Sequence, residues 1–187
     1  MAKNLLNTVA VFSSIVTVIL IACYAQVPSE ILFSLLITFA TITYHLVMRI
    51  AVGVFFDRAF DNKMNYEKRW FQASSREMAI YEKLKVKSWK GKLPTYNAST
   101  FDLKKHTLVE VALAMCQAEL VHETIAILSF LPIIAGIWFG DFPVFIITSL
   151  AAAAVDMSFV IIQRYNRQRI MKIFINSLSR TGEYTAR

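Results

Sequence analysis

The sequence predicts an all-α integral membrane protein with four transmembrane helices, an amphipathic cap on the cytoplasmic side and both termini in the cytoplasm. Three observations support this fold class. Of the 187 residues, 56% are hydrophobic, and they occur in long blocks without the polar and apolar periodicity of a soluble domain. Lysine and arginine are concentrated in two segments outside these blocks. The few charged residues inside the blocks fall near one end of each predicted span.

Each of the four apolar blocks is long enough to cross a bilayer, because about 20 helical residues cover roughly 30 Å of hydrocarbon. The first block has no charged residue, the second carries Arg49 and the fourth carries Asp156. The third contains Glu119, His122 and Glu123. We predict one membrane domain over residues 1–187, with spans at about residues 5–25, 31–52, 115–138 and 142–162.

Positive charge determines the predicted orientation. The long loop, residues 53–107, holds twelve Lys and Arg, and the tail, residues 163–187, holds six, whereas the short opposite loops hold none. Because cationic segments stay in the cytoplasm, we expect the long loop, the tail and the N-terminus on that side. The protein is therefore expected to be a multi-pass protein of the cell membrane, with a basic cytoplasmic face that contacts membrane lipids.

The long loop is more than a linker. Residues 66–89 lack proline and glycine and mix aromatic with cationic side chains, which is typical of an amphipathic helix at the headgroup level. Gly91 and Pro94 end this predicted helix, and a new helix begins near Asp102 and continues into the third span. Residues 164–179 carry a stripe of large apolar side chains, so we expect the fourth span to continue as a helix that completes the cap.

Charged and imidazole side chains in three spans lie at one depth, near the cytoplasmic end. They are His45 and Arg49 in the second span, Glu119 and His122 in the third, and Asp156 in the fourth. Charged groups in hydrocarbon are costly, so one polar cavity open to the cytoplasm explains their shared depth. His45 and Arg49 are candidate substrate ligands; alternatively, Arg49 only neutralises an acid and His45 is structural.

Glu119 and His122 lie one helical turn apart and form a candidate general base, in which the carboxylate orients the imidazole. The Glu-x-x-His spacing also occurs in di-iron bundles, but these use two copies and the sequence has one, so we expect no metal. The sequence has no zinc-ligand spacing and no recognition-helix pattern, and its basic residues flank the predicted spans, so we expect no nucleic-acid partner.

The helix that leaves the fourth span carries a second candidate set. Gln163, Asn166 and Arg167 share one side at i, i+3 and i+4, so they are expected to form a polar ledge that faces the cavity. Arg167 is the expected anchor for an acidic or phosphate group, because its guanidinium is planar and bidentate. Arg164 is expected to turn away, although it too is a candidate for stabilising an oxyanion.

Three segments resemble one family of small membrane enzymes. They are residues 87–94 (Lys-Ser-Trp-Lys-Gly-Lys-Leu-Pro), 118–122 (Ala-Glu-Leu-Val-His) and 161–169 (Ile-Ile-Gln-Arg-Tyr-Asn-Arg-Gln-Arg). In order and spacing they resemble the glycosyl-4,4'-diaponeurosporenoate acyltransferase family, whose members attach a fatty acyl chain to the sugar of a glycosylated carotenoid acid. The likeness covers roughly residues 66–180. Glu123 departs from the family pattern, so we assign it no family role.

The resemblance implies O-acyl transfer from a thioester donor to a sugar hydroxyl of a glycosylated isoprenoid or another glycolipid. Acyl-CoA or an acyl carrier protein is then the donor substrate, and no resident cofactor is expected. The family-like segment makes Trp89, Lys90 and Lys92 candidate substrate ligands, although lipid contact explains the lysines equally well. Two alternatives stay open: a non-catalytic membrane partner or lipid-binding subunit of a biosynthetic enzyme, and a membrane methyltransferase.

The predicted orientation can be tested by cysteine-accessibility labelling in intact cells. Cysteines introduced at position 27 should react with an impermeant reagent from outside, whereas those at positions 95 and 180 should react only after permeabilisation. Labelling of position 180 from outside would remove the common polar face.

Overall fold

The computed structural model describes residues 2–89, 98–140 and 142–181. This part of the chain is helical and has no β-strand. Its α-helices are α1 (Ala2–Gln26), α2 (Glu30–Phe60), α3 (Ser75–Lys83), α4 (Leu108–Leu128), α5 (Pro132–Phe139) and α6 (Phe142–Thr181). Short 3-10 turns lie at Arg69–Phe71, Val86–Ser88 and Ala98–Phe101.

Four helical stretches are long and apolar enough to cross a membrane: Lys3–Gln26, Glu30–Phe60, Leu108–Phe139 and Phe142–Ser179. The all-helical class and the presence of four helices long and apolar enough to span a membrane are therefore confirmed. The side of the membrane on which each end lies stays a prediction. We call the end at which α2 leaves and α4 enters the connector end, and residues 61–107 the connecting segment.

The third span is broken near its far end, where α4 stops and α5 begins. Pro132 has no N–H to donate to the carbonyl of Leu128, four residues earlier. That carbonyl instead accepts from the hydroxyl of Tyr44 at 2.7 Å and from the backbone N–H of Leu131 at 3.1 Å. The break therefore supplies an acceptor through which α2 is hydrogen-bonded to α4. Gly140 follows α5 with φ of 75°, a conformation that favours glycine.

The prediction of one continuous helix over residues 66–89 is wrong. Only α3 is an α-helix there, because the Ser74 hydroxyl accepts from the Glu77 N–H while the Glu77 carboxylate accepts from the Ser74 N–H. This capping box starts a new helix at Ser75. Lys85 has φ of 54°, which ends that helix and turns the chain toward α6. Residues 90–97, which include Gly91 and Pro94, lie outside the described residues.

The helix of the third span also begins later than expected. The Asp102 carboxylate accepts from the N–H of Lys104 at 2.9 Å and forms a turn, not a helix start. Thr107 is the N-cap of α4, and Glu110 completes a second capping box. The expected continuation of the fourth span is present, since α6 runs without interruption from Phe142 to Thr181.

The packing centres on α4, which lies along α6 and also contacts α2. α1 packs on α2, where the hydroxyls of Thr17 and Thr43 are 3.0 Å apart. The main core joins α2, α4 and the connecting segment, through Met48, Val52, Phe56, Met64, Phe71, Cys116 and Ile125. A second cluster packs the connecting segment on α6, through Tyr81, Val86, Ile162 and Tyr165. Together these clusters hold the connecting segment across the end of α4 and α6.

Candidate functional site

His122 on α4 meets Asp156 on α6 inside the helix bundle. Its Nδ1 lies 2.9 Å from Asp156 Oδ1. The other carboxylate oxygen of Asp156 accepts from Arg49 on α2 at 2.5 Å. Arg49 also donates to the backbone carbonyl of His45 at 3.0 Å. The Asp156 carboxylate, which is 3% exposed, thus joins side chains from all three helices.

The contact with Asp156 fixes the role of each His122 nitrogen. An ionised carboxylate only accepts, so Nδ1 of His122 is the nitrogen that donates to Asp156, and in the neutral ring Nε2 then carries the lone pair. The ring stacks on Phe159 with centroids 4.6 Å apart and planes 11° apart. His122 is 24% exposed, whereas its partner is buried. A held imidazole with its second nitrogen free is suited to take a proton from a bound hydroxyl.

The carboxylate expected to orient His122 lies elsewhere. Glu119 shares α4 with His122, but its side chain is 0% exposed and both of its oxygens accept from arginines of α6. Arg164 donates to Oε1 at 2.5 Å, and Arg167 donates to Oε2. Two guanidinium groups one turn apart outcompete a neutral imidazole for this buried carboxylate. The expected Glu119–His122 pair is therefore replaced by Asp156–His122.

We call Arg164, Arg167, Glu77 and Glu119 the arginine clamp. Arg164 also donates through Nε to Glu77 of α3 at 2.6 Å. The two arginines donate further to three consecutive backbone carbonyls of the connecting segment, those of Trp70, Phe71 and Gln72. The clamp therefore fastens the connecting segment to α4 and α6.

The expectation that Arg167 anchors a ligand is contradicted by its surroundings. The residue is 1% exposed, its guanidinium donates to Glu119 and to the Phe71 carbonyl, and it lies 5.3 Å from the centroid of the Phe71 ring. The predicted rotation, with Arg164 turned away from Arg167, is also wrong. Side chains at i and i+3 leave a helix in directions only about 60° apart, so two long arginine side chains can reach the same carboxylate.

The remaining candidates are placed as follows. Gln163 and Asn166 are half-buried, and their side chains make no hydrogen bond to other described residues. Trp89 is partly buried against the cluster around Tyr165, so packing accounts for its position. Lys90 and Lys92 lie outside the described residues. A surface depression of about 530 Å³ is lined by Glu82, Lys85, Val86, Lys87, Ser88 and Tyr165.

One protein-family model matches the part of the chain that contains this site. The model described as glycosyl-4,4'-diaponeurosporenoate acyltransferase matches residues 67–176, which is more than half of the chain. The chain belongs to this acyltransferase family. The matched region contains His122, Asp156 and the whole arginine clamp, whereas His45 and Arg49 precede it. No match was found among curated proteins or among solved structures.

Two contacts in this acyltransferase-family chain were not predicted from its sequence. Asp156 was expected at the common depth, and its pairing with Arg49 agrees with the alternative that Arg49 neutralises an acid, but its contact with His122 was not predicted. The contact between Trp70 and Glu123 had no sequence signal: the indole N–H donates to the Glu123 carboxylate at 2.9 Å. That hydrogen bond gives Glu123 a role in holding the connecting segment on α4.

Removing the charge of Glu119 tests the clamp. Glu119→Gln leaves two guanidinium groups around a neutral buried amide, so we expect a loss of about 3–5 kcal/mol in unfolding free energy. Thermal unfolding in lipid nanodiscs measures it. The matched control is Glu82→Gln, an exposed residue of α3, which should change stability by less than about 0.5 kcal/mol. Equal stability of the two variants would contradict the clamp.

The dependence of protein stability on pH in acid tests the contact between Glu77 and Arg164 in the clamp. Burial raises the pKa of Glu77, but the hydrogen bonds from Arg164 and Tyr81 outweigh burial and bring that pKa below its ordinary value of 4.5. Because the folded pKa is the lower one, this stabilisation is present above about pH 4.5 and is lost as the pH falls through the folded value.

The Glu77→Gln variant should therefore show a shallower loss of stability than the parent below about pH 4.5, measured as unfolding temperature against pH. Glu67→Gln, at an exposed position of the connecting segment, serves as the control and should follow the parent curve. If the unfolding temperatures of the parent and of Glu77→Gln fall equally steeply below about pH 4.5, the assignment is refuted.

Proposed function

We propose that this chain is a membrane O-acyltransferase that moves a fatty acyl group from a thioester donor to a sugar hydroxyl of a glycosylated isoprenoid or another glycolipid. The observation that carries the proposal is the His122–Asp156 pair, with the second carboxylate oxygen held by Arg49. Membership of the acyltransferase family supports the reaction class.

In the proposed reaction, Nε2 of His122 takes the proton of the sugar hydroxyl while the hydroxyl oxygen attacks the carbonyl carbon of the thioester. The tetrahedral intermediate then collapses, the carbon–sulfur bond breaks and the ester forms. The imidazolium returns its proton to the departing thiolate, which leaves as a thiol. Asp156 keeps the ring in the required tautomer and stabilises its charged form, as in other base–carboxylate pairs.

Arg49 is the group best placed to stabilise the oxyanion in this scheme. A guanidinium has five N–H donors, and Arg49 directs one to Asp156 and one to the His45 carbonyl. Because Arg49 and His122 bind the two oxygens of the same carboxylate, the guanidinium lies near the imidazole that would activate the hydroxyl. Fixed donors at the developing negative charge often supply the largest part of such catalysis.

The depth of the pair suits a reaction between amphiphiles. The 14 residues from Phe142 to Asp156 rise about 21 Å, whereas the 22 residues to Arg164 rise about 33 Å. With roughly 30 Å of hydrocarbon, the clamp lies at the connector-end interface and the His122–Asp156 pair lies below it. Lys85 and Lys87 at the surface depression would meet the phosphates of acyl-CoA, or an acidic carrier protein, on the cytoplasmic face.

In this proposal Glu119 does not orient the His122 imidazole, the role that its spacing on α4 predicts. Through the clamp it fixes the contact between α4 and α6, and so the distance between His122 and Asp156. We therefore assign it a positioning role and leave the chemistry to His122, Asp156 and Arg49.

Replacing the proposed base tests the function. Purified His122→Ala and Asp156→Asn proteins should lose about 10²–10⁴-fold in kcat/KM for acyl transfer from acyl-CoA to a glycosylated isoprenoid in proteoliposomes, since that is the range for general bases. Mass spectrometry of the ester product gives the rate. His106→Ala, an exposed histidine of the connecting segment, is the control and should match the parent.

A folded His122→Ala protein that transfers acyl groups at the parental rate would end this mechanism. The alternatives are separated by ligand-induced stabilisation. Acyl-CoA should raise the unfolding temperature and S-adenosylmethionine should not; the reverse would favour methyl transfer. No stabilisation by either donor would favour a non-catalytic partner.

A further inference from the structure

His45 has a polar ring with no protein partner. Both ring nitrogens are buried, and neither hydrogen-bonds to a protein group within residues 2–89, 98–140 and 142–181. Its aromatic contact is with its neighbour Tyr44, edge to face with centroids 5.4 Å apart. A buried polar group without a partner typically costs about 1–3 kcal/mol, so packing alone favours phenylalanine or leucine at this position.

His45 belongs to the same polar site as the proposed base. It lies one turn before Arg49 on α2, on the face opposite the one that Thr43 and Val47 present toward α1. The backbones of α2 and α6 approach each other little, and the Arg49 side chain bridges them. His45 therefore lies on the side of α2 from which Arg49 reaches Asp156, the partner of His122.

We propose that His45 is a positioning residue that binds a hydroxyl group of the acceptor sugar; this rests on the proposed function. A neutral imidazole has one N–H donor and one acceptor nitrogen, which point in divergent directions. The carbonyl of a thioester only accepts, so it can bind only the N–H. A sugar hydroxyl both donates and accepts, so it can bind whichever nitrogen faces the acceptor.

The position of His45 adds a geometric reason. Arg49 contacts the His45 carbonyl and the Asp156 carboxylate, and His122 contacts the same carboxylate. A sugar that His45 binds through one hydroxyl can present another hydroxyl to Nε2 of His122. Holding the acceptor in this way replaces the hydrogen bonds that its hydroxyls lose on leaving water.

Direct binding tests this inference without requiring turnover. The probe is a long-chain alkyl glucoside, and its matched control is the per-O-methylated glucoside, which keeps the chain and ring but has no hydroxyl donor. In nanodiscs the glucoside should raise the unfolding temperature of the parent more than the methylated compound does. His45→Phe keeps the ring shape and should abolish that difference, whereas His106→Phe should keep it.

Without ligand, His45→Phe should be at least as stable as the parent, because a polar ring without a hydrogen-bond partner is replaced by an apolar ring. In the transfer assay, His45→Phe should raise KM for the glycolipid on the order of tenfold, for one lost hydrogen bond. The KM for acyl-CoA and the slow hydrolysis of acyl-CoA by water should stay at parental values. Failure of the proposed function would instead abolish transfer in the parent and leave the binding result intact.

Three outcomes would overturn the inference: equal stabilisation of the parent by both glucosides, a full glucoside effect in His45→Phe, or an equal loss of transfer and hydrolysis. If His45→Phe does not fold, ring nitrogen NMR on the unmodified sequence decides. The chain has three histidines, so His106→Gln and His122→Gln identify the His45 signals. The glucoside should shift those signals, and unchanged signals refute the proposal.

Discussion

The connector end of the bundle depends on one buried carboxylate, that of Glu119. It shares its two oxygens between Arg164 and Arg167, so three charges that would each be costly at this depth compensate one another. The remaining donors of the arginines bind the carbonyls of residues 70–72. The backbone of this irregular segment is thus satisfied by side chains of α6, as buried backbone outside regular structure requires.

This arrangement separates the charges that hold the fold from those available for chemistry. On α4, Glu119 and His122 are one turn apart, and on α6 Asp156 precedes Arg164 by about two turns. Once the clamp fixes α4 against α6, His122 reaches the carboxylate of Asp156 and not that of Glu119. Arg49 then supplies the cation that pairs with Asp156, and it does so from a third helix. The site consequently needs α2 as well as the region shared with the family.

The sequence was informative where the physical signal is local. Apolar length predicts the four spans, and the cost of charge in hydrocarbon predicts that His45, Arg49, His122 and Asp156 meet at one level. The partner of His122 and the partners of Glu119 were not predictable, because they depend on helix rotation and on the reach of arginine side chains. The breaks in the connecting segment had a readable signal: Ser-x-x-Glu at residues 74–77 and Thr-x-x-Glu at residues 107–110 are capping boxes.

The depth of the site has a consequence for the proposed reaction. A thioester is readily lost to water, and hydrolysis competes with every transfer to a hydroxyl. In a bilayer that α6 enters at Phe142, the His122–Asp156 pair, about 21 Å along the helix, would lie where water is scarce and an amphiphilic acceptor is concentrated. Low polarity would also strengthen the attraction between Asp156 and an imidazolium. In the proposed reaction, the depth that makes these charges costly to bury would therefore favour the sugar hydroxyl over water as the nucleophile.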